Sequence, residues 1–263
     1  YRALIAAYLV YFCAMREEKN KVFKKVPKKY QPKGLTILYE DVDILVINKD
    51  NGVLTIGTDS QRERTAYVAL TDYVKKGNPR SKARIFIVHR LDRDTSGVLV
   101  FAKSEEAKIY LQENWAEFSK TYYAVAHGTF KDKAGEISSY LIENNQYRVF
   151  STQDPDKGKF AKTGYKVIKE STEFSLLEIE LFTGRKNQIR VHLAEAGHPV
   201  AGDRIYGRKD NRAKRLALHA GSLTINHPFS KKPMTFTAEP PVGFKNLVKN
   251  RQGSDENNES DRS

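Results

Sequence analysis

The chain has 263 residues, 40% of them hydrophobic and 29% charged, enough to bury one sizeable core or two small ones, and one domain with tails is the expectation. A formal net charge of +13 points to a polyanionic partner, nucleic acid first and an anionic membrane surface second, because Lys and Arg that neutralise phosphates release condensed counterions. The single Cys13 excludes an internal disulfide framework and a Cys-based zinc site and fits a reducing compartment, so the cytoplasm is the expected location.

Taken in chain order, residues 3 to 15 form an uncharged run after Arg2, too short to span a bilayer. No small-residue cleavage site follows, since Cys13-Ala14-Met15 runs into Arg16-Glu17-Glu18, and Met15 is read as the native start. Arg16 to Lys33 is dense in Lys and carries Pro27 and Pro32. It reads as a mobile basic arm, suited to tracking phosphates or to serving as a solubilising leader. Residues 1–33 are thus set apart from a folded domain over 34–250 and from a polar tail over 251–263, which has no apolar residue and is expected to be disordered.

Within the folded part, Leu35 to Tyr39 and Ile44 to Ile47 are strand-like and are separated by a turn at Glu40-Asp41-Val42-Asp43. Thr65 to Lys76 and Ser104 to Phe118 have helical spacing, the second with Ser104 as N-cap ahead of Glu105 and Glu106. Arg84 to Val88, Gly97 to Ala102, Tyr122 to Ala126, Gly164 to Lys169, Phe174 to Phe182 and Leu216 to Ile225 read as strands. Strand runs without regular helical crossovers predict an α+β domain on a largely antiparallel mixed sheet flanked by helices and loops.

Two clusters carry chemistry. In His89-Arg90-Leu91-Asp92-Arg93-Asp94-Thr95-Ser96-Gly97 a carboxylate lies between two guanidinium groups on a connection between strands. Flanking cations favour ionised Asp92, which can then act as a nucleophile or base. The second cluster, Thr183-Gly184-Arg185-Lys186-Asn187-Gln188-Ile189-Arg190-Val191-His192, opens a helix that Gly197 stops. Ile189, Leu193 and Ala196 form its apolar stripe, which leaves Arg190 to reach into a cleft and gives His192 the character of a satisfied core histidine. Gly202-Asp203 and Tyr206-Gly207 read as structural turns, with Asp203 bonding to the backbone.

The first cluster resembles the signature of the RluA-type RNA pseudouridine synthases, and the resemblance extends in order from about Leu35 to Phe244. It implies the pseudouridine synthase fold with a central active-site cleft, over 34–250. It further implies that Asp92 attacks the target uridine, that Tyr122 of Lys120-Thr121-Tyr122 is an active-site aromatic, and that Arg190 of Gln188-Ile189-Arg190 pairs with the Asp. Arg90 takes the role of holding RNA whose base is flipped out. Arg93, Lys120, Arg185 and Asn187 are candidate substrate-binding residues, Asn187 standing where many relatives have His. Arg215 to Ala220 and His227-Pro228 resemble the closing segments of the domain.

Moving uracil from its nitrogen to its carbon attachment on the sugar involves no redox step, so no cofactor and no metal are expected. The implied partner is ribosomal or transfer RNA offered as a stem-loop, and a monomer suffices for the chemistry. Attack on the anomeric carbon and removal of the 2′ proton remain open routes. No separate small N-terminal RNA-binding domain is read before Leu35. Two other readings stand beside this one: a metal-dependent nuclease holding an ion with His89, Asp92 and Asp94, and a non-catalytic RNA-binding protein supported by charge alone.

Overall fold

The computed structural model describes residues 26–57, 65–208 and 211–249. The apolar leader, most of the basic arm, the Met15 start and the polar tail lie outside the described residues. Of the arm, Lys28–Tyr30 form a 3-10 turn, and the Gln31 side chain accepts a hydrogen bond from the Ile37 backbone at 2.9 Å. This end of the arm is hydrogen-bonded to the first strand.

The described residues divide into two compact units, one ending at Lys120 and taking back Ala220–Glu239, the other formed by Thr121–His219 and the residues from Pro240 on. The first unit holds strands β1 (Leu35–Glu40), β2 (Ile44–Lys49), β3 (Phe86–Ile87), β4 (Ser96–Ala102) and β11 (Pro233–Thr237), with β10 (Leu218–Asn226) belonging to it from Ala220. Its helices are α1 (Ala66–Lys75) and α2 (Glu105–Glu113), capped by the Thr65 and Ser104 side chains as the sequence predicts for Ser104. β2 pairs antiparallel with β1 and β4, and β3 with β4. All seven residues of β4 are buried, so this strand has no solvent face and reads as a continuous apolar run.

The β1–β2 turn is set by one side chain. Asp41 Oδ1 accepts the backbone N–H of Asp43 and of Ile44, both at 2.8 Å, while Oδ2 accepts Tyr39 Oη and His227 Nε2 at 2.8 Å. That explains why His227, in a closing segment of the resemblance, is buried: it ties the β10–β11 turn to this hairpin.

The second unit is an antiparallel sheet in the order β5-β9-β8-β6-β7, with β5 (Ser119–His127, within this unit from Thr121), β6 (Ala134–Glu143), β7 (Val149–Thr152), β8 (Lys159–Glu170) and β9 (Phe174–Leu181). Helices α3 (Gln188–Glu195) and α4 (Val242–Leu247) complete it. Six successive residues of α3, Gln188 to Leu193, are buried, so the helix is enclosed rather than half-exposed along one stripe. His192 sits there fully buried, with Nδ1 2.9 Å from Thr163 Oγ1 and Nε2 3.1 Å from Ser139 Oγ, a satisfied core histidine as expected.

Candidate active site

In the first unit the Asp92 loop is fixed from beneath by residues 49 to 55. Lys49 is fully buried, and its ammonium donates to the carbonyls of Asp50, Val53 and Arg93 at 3.1, 2.7 and 3.1 Å. Gly52 N–H also donates to the Arg93 carbonyl, Asn51 Nδ2 to that of Asp94, and Thr55 Oγ1 to that of Leu91. Within the loop Thr95 N–H closes a turn on the Asp92 carbonyl at 3.1 Å. These bonds immobilise backbone on both sides of Asp92, whose side chain is half-buried. Immobilised backbone lets a reactive carboxylate keep its aim without reorganising during reaction.

The strand that follows needs glycine at its second residue. Gly97 has φ +117°, and a Cβ there would lie 2.2 Å from the Ala220 carbonyl oxygen. Close backbone approach of β10 therefore fixes where the loop ends.

His89 is not placed as a metal ligand. Its Nε2 accepts the backbone N–H of Val100 at 3.2 Å, its ring packs on Trp115 with centroids 4.2 Å apart, and burial together with the Lys120 charge pushes its pKa down to about 3. A neutral imidazole whose lone pair is engaged by the backbone orients the strand entering the loop. The His89, Asp92, Asp94 arrangement of the nuclease reading is thus not assembled. Asp41, Asp43 and His227 are the one group of three metal-ligating side chains among the described residues, and there the Asp41 carboxylate is already engaged by four hydrogen bonds, His227 included.

Lys120 also departs from the sequence reading. It is 7% exposed, its Nζ donates to the Trp115 carbonyl at 2.9 Å, and burial lowers its pKa. In this structure the Lys120 ammonium is enclosed and committed to the Trp115 carbonyl, and its charge lies close enough to His89 to lower that imidazole's pKa. Arg90 and Arg93 are exposed, as phosphate-binding residues must be, and Arg93 Nε rests on the Gly52 carbonyl at 3.3 Å.

In the second unit Tyr122 is half-buried on β5, opposite Ile179 of β9. Arg190 is buried and forked: Nε and Nη2 donate to Asp203 Oδ2 and Oδ1 at 2.7 and 2.8 Å, while Nη1 donates to Asn187 Oδ1 at 2.9 Å. Burial pushes the Asp203 carboxyl up, but hydrogen bonds and charge from Arg190, with the N–H groups of Tyr206 and Ile205, hold it below its ordinary value. The turn reading of Asp203 stands, and its pairing with Arg190 is an addition the sequence did not reveal. Asn187 occupies the left-handed region at φ 54° and hands its side chain to Arg190 and to Tyr206 Oη rather than capping α3. Gln188 ties down the turn before the helix, its Oε1 accepting the Arg185 N–H and the Thr183 hydroxyl. Arg185 is exposed, with Nε on the Phe160 carbonyl at 3.0 Å.

Residues 43–195 match the model of the RNA pseudouridylate synthase family. The chain belongs to this family. This synthase is 35% identical over 239 residues to a Mycoplasma pneumoniae protein described as an uncharacterized RNA pseudouridine synthase, covering 88% of this chain and 75% of that one. It is 33% identical over 230 residues to the ribosomal large subunit pseudouridine synthase D of Borreliella burgdorferi, covering 85% of this chain and 71% of the other. The fold matches that of human RNA pseudouridylate synthase domain containing 4, with a TM-score of 0.68 at 22% identity over 81% of this chain and 92% of the human one. The α+β, largely antiparallel expectation is borne out, and the enzyme is an isomerase of RNA uridine.

Proposed function

We propose that this synthase converts particular uridines of ribosomal or transfer RNA to pseudouridine, with Asp92 as the reacting carboxylate. The observation that carries the assignment is the set of hydrogen bonds from Lys49, Asn51, Gly52 and Thr55 that holds the backbone around Asp92. In the reaction the bond from uracil nitrogen to the sugar breaks, uracil turns, and its ring carbon five bonds to the sugar as the bond to Asp92 breaks or the 2′ proton returns, while carbon five loses a proton and the freed nitrogen takes one up. Asp92 begins this either by attacking the anomeric carbon or by removing the 2′ proton.

Tyr122 stacks on the uracil and assists loss of the proton from ring carbon five. Arg190, held by Asp203 and Asn187, takes the counter-charge role that the family resemblance implies for it. Extruding the base costs a few kcal/mol, and phosphate contacts from Arg90, Arg93 and Arg185 offset it. The basic composition and the names of the ribosome-directed relatives favour ribosomal RNA. A single catalytic chain acting as a monomer in the cytoplasm completes the reading.

The test is mapping of pseudouridine in total RNA from cells with and without the gene, together with conversion of the identified RNA by purified protein. Sites that vanish on deletion and return in vitro support it. An unchanged map with no conversion in vitro defeats it.

A further inference from the structure

We propose that a cavity beside α4 in the second unit binds a nucleotide of the substrate RNA, remote from the uridine being converted. The inference rests on the RNA-directed function proposed above. The cavity, about 630 Å³, opens between the β8–β9 turn, the segment around Arg212 to Ala217, and α4. Its size suits a small planar ligand.

Charge identifies the kind of ligand. Arg212, Lys214, Arg215 and Lys249 line the cavity against one acid, Glu173, which is itself paired with Arg212. Lys214 and Lys249 are exposed and form no ion pair with any other described residue. The cavity therefore has an anionic complement, and Lys cations on a rim suit a phosphate.

Its apolar part adds a plane. The Arg212 guanidinium lies 4.5 Å from the ring centre of buried Phe174, and that of Arg215 lies 5.7 Å from Phe244. A guanidinium backed by an aromatic ring and tethered by a carboxylate is a flat, preorganised surface on which a base can stack, with the phosphate then reaching Lys214 and Lys249. A simple inorganic anion would leave this surface unused.

The position excludes the target uridine as occupant. Phe174 pairs with His127, whereas Ile179 pairs with Tyr122 five residues along the same β5–β9 ladder, a separation of roughly 16 Å. A flanking nucleotide of a long substrate spans that distance.

The test uses the full chain and a short fluorescein-labelled oligouridylate, with binding read by anisotropy. One variant, Gly243→Phe, adds bulk where a Cβ would meet nothing within 4 Å; a second, Lys214→Glu with Lys249→Glu, reverses the rim. Lys166→Glu with Lys169→Glu, on β8 and outside the cavity lining, measures the general effect of the same charge change. Both cavity variants are expected to bind about tenfold more weakly, the second beyond its control. A 4-thiouridine oligonucleotide should cross-link wild-type protein within the peptide containing Phe244.

Wild-type affinity in both cavity variants, or a rim variant no weaker than its control together with absence of that cross-link, overturns the inference. Saturable binding of free uridine monophosphate at the cavity without competition by the oligonucleotide also overturns it, assigning the cavity to a free nucleotide. Pseudouridine formation is scored in the same preparations. Active wild-type protein with a silent cavity refutes this inference alone, whereas inactive wild-type protein refutes the function proposed above.

Discussion

The buried ammonium of Lys49 donates to the carbonyl of Arg93, one residue beyond Asp92, at 3.1 Å. A cation without solvent contact is thereby committed to shaping the reactive loop, and it also donates to the carbonyls of Asp50 and Val53. Lys49→Met should lose about 2 to 4 kcal/mol of stability, because those acceptors remain buried with fewer donors. Conversion at a temperature where the variant is still folded should fall more than RNA affinity does. Thermal unfolding beside single-turnover kinetics checks both, and a fully stable, fully active variant would remove Lys49 from the account.

Arg190 is held by Asp203 in the same manner, as a buried bidentate pair. Asp203→Asn leaves the guanidinium without its counter-charge and should destabilise the protein by about 3 to 5 kcal/mol. The sign with pH follows from a carboxyl held below its unfolded value near 3.9: its contribution is present above that value and is lost as pH falls through the lower folded one. Denaturant titrations from pH 7 down to pH 3 should show the difference between wild type and variant shrinking at the acid end.

His89 predicts a dependence of the same sign in a higher pH range. With a folded pKa of about 3 and an unfolded value near 6.5, the unfolded chain takes up this proton first as pH falls. Stability from this group therefore decreases between pH 6.5 and pH 3, with a slope approaching about 1.4 kcal/mol per pH unit. His89→Gln should flatten that part of the stability curve, and an identical slope in the variant would contradict the neutral assignment.

Gly97 offers a steric check on the loop's downstream anchor. Gly97→Ala forces a Cβ toward the Ala220 backbone in a conformation unfavourable to any side chain. Loss of about 3 kcal/mol or more, or failure to accumulate as folded protein, is expected in thermal unfolding and expression trials.

How far the sequence revealed these features depends on the range over which each is determined. The strands β1, β2, β4, β5, β8 and β9 were legible from apolar and β-branched runs, and α1 and α2 from spacing and caps. Strands β6 and β7 were not, because Ala134–Glu143 carries polar residues on a half-exposed surface and buries only Leu141 fully. The Asp92 motif was plain as a string, yet its support was hidden, since a lysine such as Lys49 ordinarily reads as a surface residue. Helical periodicity left Arg190 to reach into a cleft; Asp203, thirteen residues on, pairs with it there, which no local pattern encodes. The burial of Lys120 was equally hidden, because it arises from contact with Trp115 and not from the alternation of its own strand.

The most direct measurement is the rate of pseudouridine formation by Asp92→Asn protein on its identified RNA, with folding and RNA binding measured in parallel. The account predicts a variant that folds and binds RNA like wild type but converts uridine slower by about a thousandfold or more. Conversion at the wild-type rate would contradict it.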